Sequence, residues 1–177
     1  MRANLKFIPF YKNDPDLNEI GELYCKIFLD NFSLKDKENA LKNLNNHAGY
    51  EGFKGLKAID SDGNITGFTY GYTSMPEQFY HQKIANQLSA DEINTWLDNC
   101  FEFVELAVDP DNRRLGIASK LHGLLLENLY HKTSVLTTVV ENDPAINLYR
   151  TKGWQVINSK APVISEDNLQ VIMGKRL

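Results

Sequence analysis

Apolar residues along the chain fall into two spacings, one alternating and one returning every three to four positions, and their order predicts a mixed α/β protein. Residues 5–11 read as a short strand. Asp14 and Pro15 then start a helix whose apolar positions Leu17, Ile20, Leu23, Tyr24, Ile27 and Phe28 follow helical spacing. A second helix is expected over 35–46. Residues 53–59 and 65–73 read as strands, and the turn cluster Asp60, Ser61, Asp62 and Gly63 between them predicts an antiparallel hairpin. Residues 75–99 are polar and helix-prone, carry Phe79, Tyr80, His81 and Trp96, and offer Ser89 and Asp91 to start a helix. They read as a helical insertion.

Past residue 100 strands and helices alternate, which argues for an α/β sheet. Residues 101–108 form an aromatic and apolar strand that ends at Asp109 and Pro110. An arginine-rich turn follows, and a long amphipathic helix is expected to run to about His131. Residues 135–140 supply another buried strand, Pro144 opens a short helix, and Gly153 ends it. Two last strands are expected around 154–157 and 169–173. The chain shows no internal repeat, low-complexity tract or linker, so a single domain is expected over 1–177 with its insertion at about 75–99.

A length of 177 residues allows a sizeable core, and the 42% apolar and 24% charged fractions are those of a globular domain. Nineteen basic against twenty-three acidic residues give a net charge of −4, which lacks the phosphate-neutralising surface that nucleic-acid binding needs. No nucleic acid is expected. Cys25 and Cys100 are too few and too far apart for a disulfide framework or a metal site, and free thiols suit a reducing cytosol. Residues 1–10 lack a signal-peptide core and no run approaches the ~20 apolar residues of a membrane span. A cytoplasmic protein without membrane partners is therefore expected.

The turn Arg113, Arg114, Leu115, Gly116, Ile117, Ala118 and Ser119 lies between a strand and a helix. A helix N-terminus presents unpaired N–H groups and roughly half a positive charge, which stabilises an anion. Small residues at Gly116 and Ala118 let backbone close on phosphate oxygens, and the arginines add charge-assisted hydrogen bonds. The dinucleotide pattern G-x-G-x-x-G and the nucleotide-hydrolase pattern G-x-x-x-x-G-K-S/T are both missing.

The pattern present, R-x-x-G-x-A after "ELAVDPDNR", resembles the acetyl-CoA signature Q/R-x-x-G-x-G/A of the GNAT superfamily of N-acetyltransferases. "VVENDPAINLYRTKGW" is similar to the family's second half-site, N-x-x-A-x-x-x-Y-x-x-x-G-F/W, with Asn142, Ala145, Tyr149, Gly153 and Trp154 in register. The resemblance implies the GNAT acyl-CoA N-acyltransferase fold: a mixed, strongly twisted α/β sheet of about seven strands with four or more helices. It also implies acetyl-CoA as co-substrate, wedged where the strands ending near Val108 and Val140 diverge. The strand backbone at Leu106, Ala107 and Val108 would pair with the pantetheine arm, and the amides from Arg114 to Ser119 would hold the diphosphate.

Acetyl transfer needs a neutral amine, a polarised thioester carbonyl and a proton for the departing thiolate. By family resemblance Tyr149 is the general acid. In relatives a strand bulge and a backbone N–H near Leu106 serve the thioester oxygen. Two carboxylates, Glu102 and Glu105, stand in one otherwise apolar strand, and their odd separation puts them on opposite faces. Glu102 is favoured as general base, directly or through water, with Glu105 the alternative. A covalent acetyl-cysteine route is unsupported, since neither cysteine falls in a motif.

His47, His81, His122 and His131 show no ligand spacing, with His122 and His131 expected nine apart on the long helix, so they read as surface or packing residues and no metal is expected. Phe68, Tyr70, Tyr72, Phe79, Tyr80 and Trp96 are candidates for an acceptor pocket or for core. The acceptor itself, a small-molecule or peptide amine, is not legible. The rival function is a non-catalytic acyl-CoA-binding or sensing module; transfer to a hydroxyl or of a longer acyl group shares the fold. Homodimers are common in the family, and nothing in the sequence decides for one.

Overall fold

The computed structural model describes residues 4–177; residues 1–3, the start of the expected domain and of the stretch read for a signal-peptide core, lie outside the described residues. The elements are β1 (Lys6–Phe10), α1 (Leu17–Phe28), α2 (Leu34–His47), β2 (Lys54–Ile59), β3 (Ile65–Thr73), α3 (Phe79–Ala85), α4 (Ala90–Trp96), β4 (Cys100–Val108), α5 (Ile117–Leu126), β5 (Thr133–Val139), α6 (Asp143–Thr151), β6 (Gln155–Ser165) and β7 (Asn168–Arg176). The strands form one mixed sheet in the order β1-β2-β3-β4-β5-β7-β6. The fold is thus the expected mixed α/β class, with seven strands and six α-helices among the described residues.

Two compact units share the chain, and β4 contributes to both. The first comprises residues up to Tyr72 and Glu105–Glu127. Here β1 pairs antiparallel with β2, and β2 with β3. Asp60 closes the hairpin by accepting from the backbone N–H of Asp62 and Asn64, with Gly63 at φ 89°. Lys57 is buried and paired with Asp14 and Asp16, so Asp16 serves the lysine instead of capping α1 with its side chain. Ser33 and Asp36 make a reciprocal capping box at α2.

In the same unit α5 stops well short of the expected His131. Lys54 donates to the carbonyls of Leu124 and Glu127 at 2.8 and 2.7 Å, satisfying the last turn's orphan acceptors, and the Glu127 backbone has already become extended. His131 therefore lies beyond the helix that carries His122, correcting the shared-helix expectation.

The second unit comprises Thr73–Val104 and Asn128–Leu177. Its strand pairings are one short parallel ladder and two antiparallel ones. β4 and β5 register over Cys100↔Thr133, Phe101↔Ser134 and Glu102↔Val135. β5 then pairs with β7 along its whole length, and β7 with β6. The last two strands are longer than the apolar runs that predicted them, because antiparallel pairing carries them through polar residues such as Asn158 and Gln170. The segment expected as a helical insertion carries α3 and α4, the latter opened by a Ser89–Glu92 capping box. Ile84, Trp96 and Leu97 from this segment pack with Cys100, Val135, Ala161, Val163 and Ile172. Trp96 lies directly over Gly174, where a Cβ would come within 2.5 Å of the indole ring.

Candidate functional site

Residues of the predicted cofactor site fall in both units, and each group has its own local cause. In the first unit β4 ends at Val108, and Asp109 accepts from the Asp111 backbone and from Lys26 Nζ at 2.8 Å. Burial opposes ionisation of Asp109, but the Lys26 bond and the Asp111 N–H outweigh it and hold the carboxyl below its usual range. The corner leads through a single 3₁₀ turn at Pro110–Asn112 into the arginine turn.

Within that turn Arg114 and Gly116 both adopt the left-handed conformation, at φ 66° and 80°. Gly116 is the N-cap of α5, and no side chain caps the helix. The first amides of α5 are thus left without a capping side chain, and backbone N–H groups in a turn of this kind form an anion-binding concavity. A Cβ at Gly116 would meet nothing within 4 Å, so glycine is required there by its backbone angle, and the space beside it is open. Arg113, Arg114 and Leu115 are exposed, Ile117 is buried, and Ala118 and Ser119 are partly covered. This donor set and open backbone fit a diphosphate.

Gly67 on β3 was not singled out from the sequence. A Cβ there would stand 2.9 Å from the Ala107 carbonyl oxygen and 3.2 and 3.4 Å from Ile117 and Leu121, so its bareness lets α5 pack tightly on β3 and β4. A glycine inside a strand is the signal that marks such an approach. Glu105, partly exposed, lies in this unit, with its backbone carbonyl accepting from Thr69 Oγ1 at 2.7 Å. Burial pushes its carboxyl up to about 7.

The second unit holds Glu102, Asn142, Ala145 and Tyr149. Glu102 is 5% exposed, and its Oε2 has no hydrogen-bond partner among the described residues. Desolvation pushes the carboxyl up to about 8. Strand alternation puts Glu102 on the face of Cys100, which packs against the inserted helices. The opposite face carries Phe101 and Phe103, and Phe103 meets Tyr149 and Trp154 edge-on at 5.8 and 5.6 Å. Tyr149 is buried at 7% exposure on α6. Asn142 caps that helix, its Oδ1 accepting from the Ala145 N–H at 3.3 Å. The two residues of the second motif thus close on each other at the helix start.

Of the aromatic residues weighed for an acceptor pocket, Phe68, Tyr70, Tyr72 and Trp96 are buried, whereas Phe79 is 57% exposed and Tyr80 partly so. Among the histidines, His47 packs on Tyr50, Tyr70 and Tyr72. No group of three or more His, Cys, Asp or Glu that could hold a metal occurs among the described residues. A surface cavity of about 470 Å³ lies in the first unit where α1 begins beside α2, lined by residues that include Asp14, Asn18, Lys42 and Asn45. It contains none of the predicted site residues. No helix among the described residues is long and apolar enough to cross a membrane.

The sequence matches the model of the Acetyltransferase (GNAT) family over residues 17–154. No curated protein matches it. Among solved structures, PH1933 from Pyrococcus horikoshii OT3 superposes with a TM-score of 0.72 at 22% identity, covering 98% of this chain and 99% of that one. Arabidopsis thaliana NAA60 in complex with acetyl-CoA gives a TM-score of 0.63 at 15% identity, covering 98% and 99%. The spermidine/spermine N-acetyltransferase SpeG from Vibrio cholerae gives 0.62 at 15%, covering 97% and 93%. At these identities the likeness establishes the fold.

Proposed function

Since the chain belongs to the GNAT acetyltransferase family, we propose that it transfers the acetyl group of acetyl-CoA directly to a primary amine of a small molecule or peptide. The observation that carries this reading is the arginine turn, with its left-handed Gly116, open space beside it and helix start without a capping side chain. Arg113 and Arg114 supply charge, and the amides from Arg114 to Ser119 supply fixed donors, for the diphosphate. The β4 backbone at Leu106, Ala107 and Val108 is assigned to the pantetheine arm. A complex of NAA60 with acetyl-CoA and the spermidine/spermine activity of SpeG support an acyl-CoA donor and an amine acceptor.

Tyr149 is assigned as the acid that gives its phenolic proton to the departing thiolate. Glu102 is assigned as the base that accepts a proton from the attacking nitrogen, with Glu105 the alternative. The Phe103 and Trp154 rings hold the Tyr149 ring in place. Asn142 and Ala145 are assigned to the cofactor side through the start of α6. Cys25 and Cys100 are buried free thiols, and burial pushes Cys100 up to about 12, which supports direct transfer; a reducing, cytoplasmic setting is proposed from the two widely spaced cysteines of the sequence.

The test is thiol release from acetyl-CoA across amino acids, polyamines, aminoglycosides and peptides, with coenzyme A binding followed by calorimetry. Amine-dependent release is expected. Tight binding with no release over the whole panel would assign the chain to acyl-CoA sensing instead.

A further inference from the structure

Turning an alkylammonium into an amide removes two protons from one nitrogen. One leaves before attack, because the lone pair must be free, and one leaves as the tetrahedral adduct collapses. One of the two is matched by the proton that ends on the thiol, and the other goes to solvent. Glu102, as assigned above, accounts for one acceptor; the reaction has work for a second.

Ser74 and His81 form a buried pair at the edge of the inserted segment. Ser74 Oγ and His81 Nδ1 are 2.8 Å apart, and both residues are less than a tenth exposed. The Ser74 backbone N–H donates to the Cys100 carbonyl at 2.9 Å, which ties the pair to the first residue of β4. His81 stands one turn before Ile84 on α3, so the two share a helix face, and Ile84 packs in the cluster that contains Cys100. Glu102 follows Cys100 by two residues and lies on the same strand face. The hydrogen bond at Nδ1 fixes the ring and leaves Nε2 as its other functional atom, and no described residue forms a hydrogen bond with Nε2.

We propose that His81, oriented by Ser74, is the catalytic group that takes the first proton from the incoming ammonium, leaving Glu102 to take the second. This rests on the transferase reading above. In balance, the ammonium N–H bond breaks and an N–H bond forms at Nε2, giving a neutral amine and an imidazolium that returns its proton to solvent. The amine nitrogen then bonds to the thioester carbon, Glu102 receives the second proton, the C–S bond breaks, and Tyr149 protonates the thiolate. Glu102 restores the Tyr149 proton through solvent. Burial of His81 lowers its pKa from the ordinary imidazole value, which keeps the ring neutral and able to accept.

The experiment compares two acceptor classes on the full chain. Strongly basic alkylamines enter as ammonium ions and need the first deprotonation, whereas hydrazides and aromatic amines enter neutral and do not. His81→Gln is expected to lower kcat/KM for alkylamines by at least about tenfold near neutral pH while changing the weakly basic acceptors less than about twofold. Ser74→Ala, which frees the ring, is expected to show the same selectivity to a smaller degree. Coenzyme A affinity by calorimetry reports folding, and if His81→Gln fails that check, the Ser74→Ala ratio decides. Equal losses for both classes, or none, would overturn the role of His81 while leaving the transferase reading intact. Absence of amine-dependent thiol release by the unaltered chain would remove both.

Discussion

Replacing Glu102 by Gln should separate what this residue does for the reaction from what it costs the fold. The side chain is 5% exposed, with one oxygen unpartnered, and its pKa stands at about 8 against 4.5 for a free carboxyl. Below pH 4.5 both folded and unfolded chains hold the proton, and ionisation contributes nothing. Between 4.5 and about 8 the unfolded chain gives up its proton while the folded chain keeps it, so stability falls as pH rises. Above about 8 both are ionised and the whole penalty stands. At about 1.4 kcal/mol per pKa unit that penalty is on the order of a few kcal/mol. Gln keeps the volume and cannot ionise. Urea midpoints measured from pH 5 to 9 should therefore show the variant gaining on the parent as pH rises, with most of the gain in place by pH 8. Glu105, raised to about 7, is common to both proteins and cancels in the difference. At pH 7 only roughly a tenth of Glu102 is ionised in the parent, so its kcat should climb through pH 7 to 8, a limb that the variant loses. A stability gap that does not vary with pH would refute the buried, partnerless carboxyl, whatever the activity does.

Substitutions at three further positions test the rest of the site. Tyr149→Phe should lose at least about tenfold in kcat with little change in acetyl-CoA affinity, and unchanged turnover would remove Tyr149 from the mechanism. At Gly116 the constraint is the φ of 80° and not crowding, so Gly116→Val should weaken coenzyme A binding by calorimetry by about tenfold or more, and Gly116→Asn, which tolerates the left-handed region, by less. Equal affinity for glycine and valine would dismiss this turn as the diphosphate cradle. Gly67→Val places carbon atoms against the Ala107 carbonyl and should cost about 1–3 kcal/mol in urea unfolding; an unchanged midpoint would mean that α5 does not depend on that close approach.

What could be read from the sequence follows from how local the causes are. The β2–β3 hairpin and α4 were legible because Asp60, Gly63 and Ser89 act within four residues of themselves. The arginine turn was legible for the same reason. The end of α5 was not, because it is set by Lys54, seventy residues earlier, whose ammonium reaches the helix's last carbonyls. The lengths of β6 and β7 were not, because pairing between them overrides the polarity of their own residues. Glu102 and Glu105 could be named as an unusual pair in one strand, but their protonation depends on burial that no spacing reveals. His81 reads as a surface or packing residue, since its partner Ser74 stands seven residues earlier in the loop after β3, and the close approach at Gly67 is marked only by a glycine inside a strand.

Burial acts on Glu102 and His81 with opposite chemical results. Loss of water disfavours charge, so the carboxyl holds its proton and the imidazole sheds its own. Near neutral pH a site so built carries little charge before an acceptor arrives. An ammonium entering the same surroundings is destabilised for the same reason, and its own pKa falls. Desolvation thus favours the free amine over its ammonium and keeps the His81 ring unprotonated and able to accept. The cost falls on Glu102, which must ionise before it can receive the second proton. On the assignments proposed here, this ionisation sets the pH at which turnover rises, and the alkalinity of that rise is the kinetic mark of a carboxylate buried without a partner.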